Sequence, residues 1–242
     1  MNYQDKFFSK YISTHLGNVY GDAHAEIGRV KNQFPVWRKY FGGHLPGDKN
    51  SAVIDIGCGN GGLVYWLRGL GYQNAEGIDI SEEQVAVAKK MGIQNIQQAD
   101  MFDYLKNKKG NFDLIFMRDI IEHIGKEDVL KVLEIIFSSL KSGGALIIQT
   151  PNAGSPLFGR LRYGDFTHES SFTADSLYQI LIMTGFCEIQ TYPAGPVIHG
   201  LKSFIRYILW RLIQLGIRFY LIVEAGSARG IFTQSIITFA KK

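Results

Sequence analysis

The sequence predicts an α/β fold: a mostly parallel β-sheet with helices on both faces and an antiparallel last strand. Three observations carry this. From about residue 50, short apolar runs rich in β-branched residues alternate with helical patterns of about 10–15 residues, the signature of successive strand–helix units. The first apolar run, "VIDI" at 53–56, passes straight into Gly57, Gly59, Gly61 and Gly62. Near the end, "FCEIQTY" and "FTQSIITFAKK" read as two hairpin-like strands at the edge of the sheet.

Residues 1–49 read as an N-terminal helical cap over the sheet. "SAVIDIG" is a buried strand, followed by the glycines and a helical "GLVYWLRGLG". "NAEGIDI" is the second strand. In the helix "SEEQVAVAKKMG", Ser81 caps the start, acids fill the first turn and lysines the last, as the macrodipole favours. "NIQQAD" and "FDLIFMRD" are the third and fourth strands. "KEDVLKVLEIIFSSLKSGG" is an amphipathic helix that its glycines end. "ALIIQTPN" is the fifth strand, stopped by Pro151. "TADSLYQILIMTG" is a helix capped by Thr173 or Asp175. The loop at 152–172 is too long to be a mere connection and points to function. The whole of 1–242 is expected to form one domain: the cap at 1–49, a ligand-binding core at 50–152, and at 153–242 an acceptor loop, a helical insertion at about 197–223 and the last strands.

Composition narrows the function. Of 242 residues, 46% are hydrophobic and 20% charged, an ordinary globular mix. A net charge of +4 is too mild to indicate nucleic acid. The two cysteines, Cys58 and Cys187, suggest neither a metal cluster nor a disulfide framework and fit a reducing compartment. The stretch "MNYQDKFFSKYISTH" lacks the apolar core of a signal peptide, and no run of 18 uncharged apolar residues occurs. A cytoplasmic location is expected, with the inner face of a membrane open.

Gly57-x-Gly59-x-x-Gly62 satisfies the dinucleotide fingerprint, but that pattern alone is weak. Asp79 ends the second strand 20 residues after Gly59, where a carboxylate can accept hydrogen bonds from ribose hydroxyls. Three details separate the candidate ligands. Asp55, two residues before the first glycine, would repel a pyrophosphate and suits an ammonium, which disfavours a NAD-dependent oxidoreductase. Asp100 ends the third strand, where it could accept the amine of an adenine. No Lys-Ser/Thr follows the glycines, so a P-loop is excluded. An adenosine bearing a cationic amino-acid tail, S-adenosylmethionine, meets these conditions.

The motifs "VIDIGCGNGGL", "GIDIS", "QQADMFD", "FDLIFMRDIIEHI" and "LKSGGALIIQTPN", in this order over about residues 50–152, resemble the class I S-adenosylmethionine-dependent methyltransferases. The resemblance implies a Rossmann-like seven-stranded sheet and S-adenosylmethionine as cofactor. It also implies that Asp55, Gly57 and Gly59 contact the methionine part, with Cys58 packed within the loop. Asp79 and Ile80 would hold the ribose, Asp100 and Met101 the adenine, and Arg118, mainly through its backbone, would lie beside the amino group.

An alcohol acceptor benefits from a general base, and histidine suits that role. Of six histidines (15, 24, 44, 123, 168 and 199), two stand out. His123 lies in "RDIIEHI" with Asp119 and Glu122. This segment resembles the "D/E-x-x-E-H" stretch of a branch that includes small-molecule and sugar O-methyltransferases. His168 lies in "YGDFTHESSFT" with Asp165 and Glu169, where Asp165 could orient it. A substrate-site histidine is favoured there over a metal, because three ligands at fixed geometry are not evident. Catalytic candidates are therefore His168, His123, Asp165 and Glu122, with no metal. The run from Thr150 to Phe186 resembles methyltransferases of surface-polysaccharide pathways, which implies a sugar or sugar-lipid acceptor. Arg160 and Arg162 could meet its phosphate or carboxylate.

"HGLKSFIRYILWRLIQLGIRFYLIV", 199–223, has Leu201, Phe204, Ile205, Ile208, Leu209, Leu212 and Leu215 on one helical face, with Lys202, Arg206, Arg211 and Arg218 flanking and no acid. It reads as an interfacial membrane helix or as one packed on the sheet or on a second copy. The expected function is O-methylation of a saccharide acceptor. Methylation of a quinone or other lipid precursor is the alternative, and a non-catalytic membrane-associated scaffold is the reading from another class.

Overall fold

A computed structural model describes residues 3–8, 10, 13 and 23–242. His15 and most of 9–22, part of the expected N-terminal cap, lie outside the described residues. The seven strands are β1 (Val53–Ile56), β2 (Ala75–Asp79), β3 (Ile96–Gln98), β4 (Phe112–Arg118), β5 (Leu140–Pro151), β6 (Cys187–Pro193) and β7 (Ser235–Lys241). They form one sheet in the order β3-β2-β1-β4-β5-β7-β6. β7 runs antiparallel between β5 and β6, and the pairs among β1 to β5 are parallel. The expected fold class is therefore what the chain adopts. The strand order reverses between β1 and β4, so the crevice at their carboxyl ends is where a ligand binds in such a sheet.

Alternation along the strands divides the core into two layers. Ile54, Ile56, Ile115 and Met117 face α5 (Met101–Leu105), α6 (Val129–Ser139) and α8 (Ala174–Met183). Val53, Leu114, Phe116 and Ile147 face α2 (Ala23–Phe41) and α3 (Gly62–Gly69), where Trp37 and Trp66 pack at 5.9 Å. α4 (Glu82–Lys90) is capped by Ser81, whose side chain accepts from the Gln84 N–H. α8 is capped by Thr173 in a reciprocal capping box with Ser176.

Three details depart from expectation. α6 stops at Ser139, and "LKSGG" opens β5 instead of closing the helix. α5 and α7 (Phe158–Arg162) are short helices without a readable period; Asp100 starts the first by accepting from the Phe102 and Asp103 N–H groups. The insertion is the 25-residue helix α9 (Leu201–Ala225). It packs through its polar and aromatic side, where Ser203 is buried and Tyr207, Trp210 and Gln214 are half-buried, and it leaves its apolar stripe exposed.

Candidate active site

The glycine loop leaves β1 at the reversal of strand order. Gly57 has φ +67°, and a Cβ there would lie 2.0 Å from Ile120, so only glycine lets the loop pass under the segment after β4. Cys58 is buried against β2: its N–H donates to the Ile78 carbonyl, and a Cβ on Gly77 would come within 2.8 Å of its Sγ. Burial first, then the charges of Asp55 and Asp79, push the Cys58 thiol well above its ordinary pKa. It is therefore an inert packing residue, and only its backbone is offered to a ligand.

Asp55 and Arg118 sit side by side across β1 and β4. Asp55 is fully buried and its carboxyl is pushed up to about 7 by desolvation, which the nearby Arg118 guanidinium partly offsets. Among the described residues, Oδ1 of Asp55 and Nε of Arg118 are buried with no hydrogen-bond partner. Leaving such groups unpaired is costly, and most buried polar atoms find partners. An acceptor waiting for a cation beside a donor waiting for an anion is complementary to the ammonium and carboxylate of an amino acid. Beside the backbone role expected of Arg118, its guanidinium lies 5.3 Å over Trp37 of α2, and the orphan atom is in its side chain.

Asp79 accepts from the N–H groups of Gly59 and Ser81, each at 2.8 Å, so it ties the glycine loop to the end of β2. Each oxygen keeps a second lone pair for a ribose hydroxyl. Ile80, next in the chain, is exposed, an apolar surface for a nucleoside. Asp100 spends Oδ1 on capping α5. Met101 packs against the core cluster that includes Val132, which leaves its backbone as the candidate contact for an adenine.

The segment after β4 carries the candidate acceptor side. Asp119 adopts φ +54° and accepts from Gln149 at 3.0 Å. The residue is exposed at the surface, yet the protein packed around its carboxyl raises its pKa by desolvation. Ile121–His123 forms a 3₁₀ turn. Glu122 is buried, accepts from the Thr150 hydroxyl at 3.0 Å, and is pushed up to about 8 by desolvation and by Asp119. Its backbone carbonyl accepts from the N–H groups of Glu169 and Ser170, which staples the long loop to the turn. Asn152, buried at the exit of β5, closes the loop's base by donating to the carbonyls of Ile231 and Thr233.

Within the loop, Asp165 Oδ1 accepts from the Thr167 hydroxyl at 2.6 Å and from its N–H at 2.9 Å. The same hydroxyl oxygen lies 2.9 Å from Nδ1 of His123. Because Thr167 donates to the carboxylate, it accepts from Nδ1–H, and the Thr167 carbonyl 3.3 Å away accepts from the same N–H. This tautomer puts the imidazole lone pair on Nε2. The sequence paired Asp165 with His168; the structure joins Asp165 to His123 through Thr167, a residue the sequence reading missed. The Asp-x-Thr spacing of a side-chain-capped turn was the available signal.

The His168 ring lies 4.8 Å from that of His123 and bonds to the backbone of Leu161 and Arg162; burial lowers its pKa, opposed by the Asp165 charge. Arg162 donates to the Glu169 carbonyl and lies over Tyr163, so it is engaged within the loop. α1 (Tyr3–Phe8) covers this region, with Phe8 against His123, Phe7 against Phe166, and Tyr3 donating to Glu169. Ligand-type atoms of Glu122, His123 and His168 lie within 4.8 Å of one another. The sequence did not foresee this three-donor set, which can pass a proton or take a divalent cation.

A methyltransferase domain family model matches residues 30–190. The chain belongs to that family. This methyltransferase is of the S-adenosylmethionine-dependent class, and the Asp55–Arg118 pair fits that cofactor's amino-acid tail. It is 33% identical over 113 residues to a ubiquinone biosynthesis O-methyltransferase of Xanthomonas campestris pv. campestris (strain B100), over 45% of each chain. It thus spans about half the length of the curated relatives it matches. Its fold is similar to that of a SAM-dependent methyltransferase from Archaeoglobus fulgidus, with TM-score 0.62, 21% identity and coverage of 96% and 98% of the two chains. It is also similar to Haemonchus contortus phosphoethanolamine N-methyltransferase 2 in complex with S-adenosylhomocysteine, with TM-score 0.61, 18% identity and coverage of 97% and 60%.

Proposed function

We propose that this methyltransferase methylates a hydroxyl group on the aromatic ring of a quinone precursor or a similar lipid precursor. The Asp165–Thr167–His123 chain carries the O-methylation reading: it fixes the base tautomer on the segment after β4, next to the β1–β4 crevice. The Xanthomonas relatives support a quinone-type acceptor over the sugar that the sequence favoured. The expected single domain over 1–242 is part of the same reading.

S-adenosylmethionine supplies a methyl group made electrophilic by its sulfonium. Asp55 and Arg118 would hold the amino-acid tail, Asp79 with Ile80 the ribose, and Asp100 with the Met101 backbone the adenine. His123 Nε2 takes the acceptor's hydroxyl proton, and the resulting imidazolium keeps its Nδ1–H on Thr167, backed by Asp165. Glu122, protonated at neutral pH, positions the loop rather than competing for that proton. α1 and the long loop keep water from the reacting oxygen.

The 4.8 Å grouping of Glu122, His123 and His168 favours a second reading, a bound divalent cation that acidifies the acceptor hydroxyl. Methyl transfer from labelled S-adenosylmethionine to a prenylated dihydroxybenzoate, compared with a lipid-linked saccharide, tests the acceptor. Turnover of the saccharide alone would remove the quinone reading. Activity that survives dialysis against EDTA supports proton transfer to His123; loss restored by Mg²⁺ or Zn²⁺ supports the cation.

A further inference from the structure

α9 is mounted inside out. On a wheel of 100° per residue, Ser203, Tyr207, Trp210 and Gln214 point to the body of the protein. The opposite side is a continuous apolar strip that includes Phe204, Ile208, Leu212, Leu215 and Phe219, with exposures from 43% at Ile208 to 69% at Phe219. Exposed apolar patches of this extent mark interaction sites. Ser203 is buried and closes the first turn of the helix, accepting from the His199 N–H and donating to the Gly200 carbonyl. Trp210 and Tyr207 line a cavity of about 460 Å³ with Tyr40 and Tyr192.

The charges say what covers the strip. Lys202 and Arg206 lie on one flank and Arg211 on the other, all exposed, and among the described residues none forms an ion pair. Arg218, the fourth expected flanking cation, instead turns inward, donating to the Ala228 carbonyl and lying over Phe232. The single acid of the helix is Glu224, in its last turn. Two copies packed strip to strip would set both sets of flanking cations together with one acid each. No helix among the described residues is long and apolar enough to cross a membrane, so the segment can lie on a bilayer but not span it.

We propose that α9 docks this protein on an anionic phospholipid surface, its apolar strip at the acyl boundary and Lys202, Arg206 and Arg211 at the lipid phosphates. The inference rests on α9 alone and stands whichever acceptor the enzyme uses. Flotation of the full chain with vesicles of phosphatidylcholine, with and without phosphatidylglycerol, tests it. Wild type is expected to float with the phosphatidylglycerol vesicles and to bind phosphatidylcholine alone on the order of 100-fold more weakly, each cation near the surface contributing a factor of about five. Lys202→Gln/Arg206→Gln/Arg211→Gln should lose that preference. Phe204→Ser/Leu212→Ser/Phe219→Ser, at exposed positions that leave the packed side intact, should float with neither. Wild type that stays down with anionic vesicles overturns the proposal. So does a lipid-free dimer in sedimentation velocity that the serine variant dissociates, if it is accompanied by no flotation.

Discussion

Nδ1 of His123 lies 2.9 Å from the hydroxyl oxygen of Thr167, a residue 44 positions further along the chain. Thr167 is buried, and its hydroxyl proton is committed to Asp165. The imidazole therefore has one tautomer available, and the long loop, not the turn that carries His123, selects it.

This contact predicts a graded series. His123→Ala should lower kcat by about 10²–10⁴-fold, the usual weight of a general base. Thr167→Val, which keeps the shape and removes the relay, should lower kcat about 10-fold with little change in KM for S-adenosylmethionine, and should move the acidic limb of the pH–rate profile. An unchanged profile in Thr167→Val would show that the threonine only staples the loop.

Asp55, with its pKa at about 7, must be ionised to hold an ammonium. Affinity for S-adenosylmethionine should rise from pH 5.5 to about 7 as Asp55 ionises. It should fall above about 8, as the ligand's own α-amino group loses its proton. Asp55→Asn should bind about 10–100-fold more weakly and lose the acidic limb, as calorimetry across pH would show.

Glu122 links pH to stability. Its folded pKa of about 8 lies above the unfolded value near 4.5, so the folded state binds the extra proton between those values. Stability is then greatest below about pH 4.5 as far as this group is concerned, and is lost as pH rises through 8. The melting temperature of wild type should fall between pH 5 and 8, and that of Glu122→Gln should fall less. Parallel curves would place the ionisation elsewhere.

The cysteines should separate in a labelling experiment. Cys187 is exposed and Cys58 is buried with its thiol pKa raised. Iodoacetamide followed by mass spectrometry should modify Cys187 in the native protein and Cys58 only after denaturation. Rapid native labelling of Cys58 would contradict its packing against Gly77.

The fold of the first half was legible because its signals are local. The glycines follow β1 directly, Asp79 ends β2, and Ser81 and Thr173 announce their helices by capping chemistry that spans three residues. The Thr167–His123 contact joins segments 44 residues apart, and no short window displays it. The Leu140–Gly144 stretch misled because a glycine pair ends a helix and opens a turn into a strand equally well. In α9 the apolar stripe was correctly placed on the wheel, but a wheel does not say which side the rest of the molecule occupies. That was decided by Tyr40, Tyr192 and other residues far away in sequence.

β7 lies between β5 and β6, although it follows both in the chain. The order of synthesis thus differs from the order of assembly. β6 is made before the strand that gives it a neighbour, and α9 emerges between the two. The nascent chain carries its helix of outward-facing leucines and isoleucines before its sheet can close.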